Sequence, residues 1–210
     1  MFLVFRHKFH THWRIQPKKI PVIWLIAIKH TPIFGHNLSI ADRALPVFIQ
    51  KPEEREKNEK LPVEPADIQA ICSQSMEYLH GREKEGVSCV LDIPAQTLII
   101  ETNAYYLISV LENLLDNAVK FTESGSIILH YETDQVKKKL LISITDSVCG
   151  ISPEMHQKFF ERFYKLDAYK PGNGLGLYLC RLIIERLDGA IYIDPAYTRG
   201  TLMWVELPLK

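Results

Sequence analysis

Asn113, Asn117 and Lys120 recur at helical spacing in a stretch free of glycine and proline. Taking Asn113 as zero and ~100° per residue, Asn117 falls at ~40° and Lys120 at ~−20°. The three therefore share one narrow face of a helix. Leu107, Leu111, Leu114, Ala118 and Phe121 fall on a separate apolar arc between ~80° and ~160°. Asparagine is a poor residue for a helix interior, because its side chain competes for backbone hydrogen bonds. Two of them beside a lysine have two explanations. One is a solvated face. The other is a cation and phosphate site, since an amide oxygen is a hard neutral ligand suited to Mg²⁺ and a lysine meets phosphate as a point charge.

A second cluster is Gly172-Asn-Gly174-Leu175-Gly176-Leu177, directly before Tyr178-Leu-Cys-Arg-Leu-Ile. Glycines at a helix entrance let the backbone approach a ligand, and the first N–H groups of the helix then face an anion. The triplet also fits a flexible turn. Its spacing is not the dinucleotide fingerprint, and no Lys-Ser or Lys-Thr follows as a Walker loop requires.

The composition sets bounds around these clusters. The 210 residues are 47% hydrophobic, and Lys+Arg and Asp+Glu both number 25, so global charge does not point to nucleic acid. The four cysteines, Cys72, Cys89, Cys149 and Cys180, are too far apart for a zinc ribbon or redox pair and read as small buried thiols in a reducing cytosol. The longest uncharged apolar run, Ile20 to Ile28, is far short of the roughly 20 residues that span a bilayer. No signal peptide pattern is visible. Residues 1–41 hold six lysines and arginines and no acid. His7, His10 and His12 read as part of a basic tail, with a metal cluster as the alternative.

The elements that must position the clusters follow from periodicity. Residues 51–65 are charged and proline-bearing and read as a linker, which divides the chain into a proline-interrupted segment 1–60 and a regular domain 61–210. The first helix is expected at 66–80. Strands are expected at 87–93 and 97–101, and a second helix from an Asn103 cap to Phe121. Two strands follow at 126–133 and 139–146. Pro153 should open a short helix to Phe160. A third helix is expected at 175–187, stopped by Asp188-Gly189, and strands at 190–194 and 201–207. This order predicts an α+β fold: a two-layer sandwich with a mixed, mostly antiparallel sheet and three helices on one face.

The motifs resemble those of one family. Asn113-Leu-Leu-Asp-Asn117-Ala-Val-Lys120 resembles the N box of sensor histidine kinases. Asp146-Ser-Val-Cys-Gly150 resembles their G1 box, Phe160-Glu-Arg-Phe163 the F box, Gly172-Asn-Gly174-Leu-Gly176 the G2 box, and Arg199-Gly200-Thr201 the last glycine motif. The resemblance covers about residues 61–208 and implies the ATP-binding fold shared with gyrase, the ninety-kilodalton chaperone and MutL.

It also implies roles. Asn117 would hold Mg²⁺, with Asn113 beside it, and Lys120 would meet a phosphate. Asp146 would accept from the adenine amino group, supported by Thr201, and Gly150 would let the backbone approach the purine. Residues 164–173 would cover the triphosphate, anchored by Phe160 and Phe163. Gly172, Gly174, Leu175, Gly176 and Leu177 would line the phosphates. The ATPases of this fold carry a glutamate at the position of Asn113, so its absence implies phosphoryl transfer rather than hydrolysis. The implied partners are a histidine-bearing dimerisation domain and a response regulator receiver domain, in a cytoplasmic homodimeric kinase, with room for a membrane-proximal setting in a longer parent.

Two departures from the family stand out. Val148 occupies the first glycine of the G1 box. No His-Glu-x-x-Thr-Pro acceptor motif occurs, since Ala27 and Ile28 precede Thr31-Pro32 where it would require His-Glu. Both departures leave a degenerate, non-catalytic binding module as the alternative reading. A serine/threonine kinase of the same fold is a further rival, which the F box disfavours.

Overall fold

The computed structural model describes residues 61–147, 150–164 and 174–210. The N-terminal segment and its histidines, Val148, Cys149, Gly172 and most of the expected phosphate-covering segment lie outside the described residues.

Seven strands and three α-helices alternate along the described chain. Strand β1 (Glu64–Asp67) leads into α1 (Ile68–Glu77). Then come β2 (Val87–Asp92), β3 (Ile99–Thr102), α2 (Ala104–Phe121), β4 (Gly125–Asp134) and β5 (Lys139–Asp146). After two single-turn 3-10 segments, α3 (Gly176–Arg186), β6 (Ala190–Ile193) and β7 (Thr201–Pro208) close the domain. The main sheet has the order β2-β4-β5-β7-β6. Only the β2–β4 pair is parallel. A parallel pair needs a long crossover, and α2 supplies it. The expected mixed, mostly antiparallel sheet backed by three helices is thus observed.

Several local details differ from expectation. Strand β3 does not join the main sheet but pairs antiparallel with β1 as a separate ribbon, Glu64 opposite Thr102 and Asp67 opposite Ile99. The end of the expected linker is therefore structured, and Leu61 is buried. Helix α1 starts later than expected because Asp67 caps it, its Oδ1 accepting from the N–H groups of Gln69 and Ala70 at 2.9 and 3.3 Å. The expected helix at 153–160 is instead two 3-10 turns, Pro153–Met155 and Lys158–Phe160. A segment this short gains too few hydrogen bonds to offset α-helix nucleation.

Helix α2 sits at the centre of the domain. Asn103 caps its start, accepting from the Tyr106 N–H at 3.1 Å. Lys84 closes its other end by donating to the carbonyls of Lys120 and Thr122, both at 3.0 Å. Such a cation also suits the negative end of the helix dipole. Burial extends beyond the apolar arc read from the sequence to Ser109, Leu115 and Val119. Helices α1 and α3 pack on its two flanks while the sheet lies beneath it. The Ser109 hydroxyl remains satisfied by donating to the Tyr105 carbonyl at 2.9 Å.

Leu111 is fully buried on α2. Leu111→Ala should lower unfolding free energy by about 2–5 kcal/mol. Asn103→Ala, which removes only the cap, should cost about 1 kcal/mol. Urea denaturation of the two variants measures both, and equal small losses would contradict this packing.

Candidate functional site

Four side chains on one face of α2, Leu114, Asn117, Ala118 and Phe121, form the wall of a cavity of about 720 Å³. Their spacing puts them on a single helical stripe. The floor comes from adjacent strands: Ile144 and Asp146 on β5 face the same cavity as Met203 and Thr201 on β7. These residues are register partners, Ile144 opposite Met203 and Asp146 opposite Thr201. Gly150, Ile151, Ser152, Met155 and Phe159 complete one side, and Leu177 enters from the start of α3. The volume falls within the usual range for small-molecule sites, about 300–1,000 Å³.

The chemistry of the cavity is concentrated in a few atoms. Asp146 is buried, and its Oδ1 accepts from the Thr201 N–H at 3.2 Å. That bond spans the last register pair of the two strands and holds the carboxylate at the floor. A carboxylate has capacity for further donors. The Asn117 amide stands in the wall beside apolar groups that suit a flat ring. Ser147, at the rim, ties strand ends together: its Oγ accepts from the Ser126 N–H at 3.0 Å and donates to the Ser124 carbonyl.

Of the residues expected from sequence, Asn117, Asp146, Gly150, Leu177 and Thr201 line this cavity. Asn113 lies against the start of α3, where its Nδ2 donates to the Cys180 Sγ at 3.3 Å. Lys120 is in the last turn of α2, with its ammonium 5.3 Å from the centre of the Phe121 ring. Phe160 is buried, and its neighbour Phe159 faces the cavity and packs on Tyr164, ring centres 5.7 Å apart. Phe163 is 64% exposed and holds its surroundings through its backbone, donating its N–H to the Gly174 carbonyl at 2.9 Å. Gly174 adopts φ +67°, and a Cβ there would come within 2.7 Å of the Phe163 carbonyl carbon, so only glycine fits the clasp. Leu175 precedes α3 and has no side-chain oxygen with which to cap it.

The sequence places Leu114, Ala118 and Phe121 on an apolar arc separate from Asn117, whereas the cavity wall draws on both. Met155, Phe159 and Met203 carried no comparable signal, because strand register and the path of the 150–160 segment bring them in. The thiols of Cys72 and Cys180 are buried as expected, and burial pushes both up to about 12. Cys89 is only half-buried. Among the described residues there is no His, Cys, Asp or Glu cluster that would hold a metal alone. No described helix is long and apolar enough to cross a membrane.

Known proteins share the sequence and fold of this domain. Residues 102–210 match the family described as Histidine kinase-, DNA gyrase B-, and HSP90-like ATPase. The chain is 33% identical over 145 residues to the adaptive-response sensory kinase SasA of Rippkaea orientalis, covering 68% of this chain and 37% of that protein. It is 40% identical over 103 residues to the sensor protein SrrB of Staphylococcus aureus, covering 47% of this chain and 18% of that one. The chain thus spans well under half the length of these relatives. Among solved structures, the mycobacterial sensor histidine kinase MprB aligns with TM-score 0.62 and 25% identity over 70% of this chain and 98% of its own. Full-length ShkA in complex with AMPPNP aligns with TM-score 0.64 and 28% identity over 73% of this chain and 32% of its own.

Gly176 tests the α2–α3 contact directly. A Cβ there would lie 2.6 Å from the Asn113 Oδ1. Gly176→Ala should therefore lower the melting temperature of the ligand-free chain, and adding Asn113→Ala should recover much of the loss. The expected coupling is about 0.5–3 kcal/mol. Strictly additive effects in that double-mutant cycle would show that the two residues do not meet.

Proposed function

The chain belongs to the histidine kinase-, DNA gyrase B-, and HSP90-like ATPase family and carries the ATP-binding-type domain of sensor histidine kinases; from this we propose that it binds Mg-ATP for phosphoryl transfer to a histidine on a dimerisation domain. The observation that supports this reading most is one cavity holding a buried carboxylate at its floor and an amide in its wall. Its volume and apolar walls suit a purine nucleotide, and the Asn117 amide oxygen has the donor chemistry of a Mg²⁺ ligand. ShkA, similar in fold and sequence, was solved with an ATP analogue, which supports the same ligand here.

The residues divide the work. Asp146 accepts from the adenine amino group while Thr201 holds the carboxylate in place. Ile144, Met203 and Phe121 exclude water around the base. Asn117, with Asn113 beside it, holds the metal, and Lys120 meets a phosphate. Gly174, Leu175, Gly176 and Leu177 present the backbone to the remaining phosphates at the positive end of α3, and Gly172 is assigned to the phosphates from the motif alone. Bound Mg-ATP supplies the transferable phosphoryl group and the divalent charge that screens it. Catalysis of this kind rests on positioning and charge, not covalent chemistry. An amide at position 113, where the ATPases of this fold carry a carboxylate, directs the phosphoryl group to a side chain rather than to water.

The domain division proposed is a separate basic segment over residues 1–60 and a catalytic module over residues 61–210. The module acts in the cytoplasm, within a homodimeric kinase that passes phosphate to a response regulator receiver domain.

Calorimetric titration with ATP and GTP, with and without Mg²⁺, tests the site. ATP should bind about tenfold or more ahead of GTP, because guanine presents an acceptor to Asp146 and leaves a buried group unpaired. Asp146→Asn should erode that preference. Asn117→Ala should remove the Mg²⁺-dependent gain in affinity while the melting temperature without ligand stays close to that of the parent. Equal affinity for the two nucleotides, or no heat with millimolar Mg-ATP, would sink the reading.

A further inference from the structure

We propose that Cys180 is a positioning residue for Asn113: its thiol fixes the Asn113 amide with Nδ2 toward α3 and Oδ1 toward the glycine-rich start of that helix. The inference rests on the nucleotide site proposed above and adds a residue to it.

The argument begins with one proton. Cys180 is wholly buried on the side of α3 that meets α2. Its Sγ lies 3.9 Å from the Val110 carbonyl oxygen and 3.3 Å from the Asn113 Nδ2. A thiol has a single hydrogen to donate and lone pairs that accept weakly. The S–H is directed at the Val110 carbonyl. The sulfur then has only acceptor capacity toward Asn113, and the amide must offer its NH₂ group. Turning the amide over would set its oxygen against a sulfur whose proton is engaged elsewhere.

The other end of the amide is constrained in the same sense. Its Oδ1 lies where a Cβ on Gly176 would come within 2.6 Å, at the first residue of α3. The start of a helix carries N–H groups without intrahelical partners and the positive end of its dipole. An oxygen is favoured there and an NH₂ group is not.

A ligand-holding side chain works best when a neighbour locks its orientation. Asparagine has two free torsions, and no charge to hold it. Cys180 lies 67 residues from Asn113 in the chain and touches it only because α2 and α3 pack side by side. A purely hydrophobic residue of similar size would preserve that packing but lose the acceptor.

The test uses the full chain and compares ATP affinity with and without Mg²⁺ by calorimetry, with melting curves for every variant. The variants are Cys180→Ala, Cys180→Ser, Asn113→Ala and the Asn113→Ala, Cys180→Ala pair. Cys180→Ala should reduce the Mg²⁺-dependent gain by about three- to tenfold, the worth of one hydrogen bond. Cys180→Ser keeps a donor and an acceptor and should retain the gain within about twofold. The double variant should lose no more than Asn113→Ala alone. A general loss of stability would lower the melting temperature of Cys180→Ala but leave the Mg²⁺ ratio unchanged, and that result overturns the inference. So does a folded Cys180→Ser that fails as badly as Cys180→Ala. If Asn113→Ala leaves the ratio intact, both the inference and the role of Asn113 fall, while ATP binding through Asp146 stands. A chain that binds no ATP overturns the inference and the proposed function together.

Discussion

Helix α2 has to be buried on three sides and still present polar groups on a fourth. The sheet lies beneath it and α1 and α3 flank it. Its leucines at 107, 111, 114 and 115 are essentially inaccessible to water. Burial of this extent stabilises the domain and leaves the helix no freedom to rotate. A rotation that took Asn117 out of the cavity would drive Asn117 into apolar surroundings or bring a leucine to the surface, at a cost of several kcal/mol. The apolar packing of one helix thereby determines where an amide stands.

The floor of the site depends on a different constraint, strand register. Asp146 is the last residue of β5 and Thr201 the first of β7, and they are direct partners. A slip of one residue would turn Asp146 to the other face of the sheet. Ile142 and Val205 pair farther along the same ladder, and both are buried. Such a slip would expose them. The hydrophobic pattern of the two strands therefore protects a single carboxylate, although neither Ile142 nor Val205 lines the cavity.

Two further close contacts depend on glycine. The Phe163–Gly174 backbone bond forms where a side chain on Gly174 would collide with the 163–164 backbone. The Asn113–Cys180 bond joins two helices where Gly176 leaves room for an amide. In both cases a glycine leaves room for a polar contact between segments that are far apart or separated in the chain.

The sequence by itself determined the elements and the inventory of chemical groups. The Asn113, Asn117 and Lys120 stripe, the Asn103 cap and the glycines before α3 are local regularities. The periods of helix and strand make them readable. What only the tertiary structure decided are contacts between residues far apart in sequence. Thr201 lies 55 residues from Asp146, and Cys180 lies 67 from Asn113. Strand β3 went to a ribbon with β1, and Phe159 rather than Phe160 turned into the cavity. No period encodes such choices. They follow from sheet order and from which face of each helix its neighbours cover, and these are settled only when all the apolar faces are buried at once.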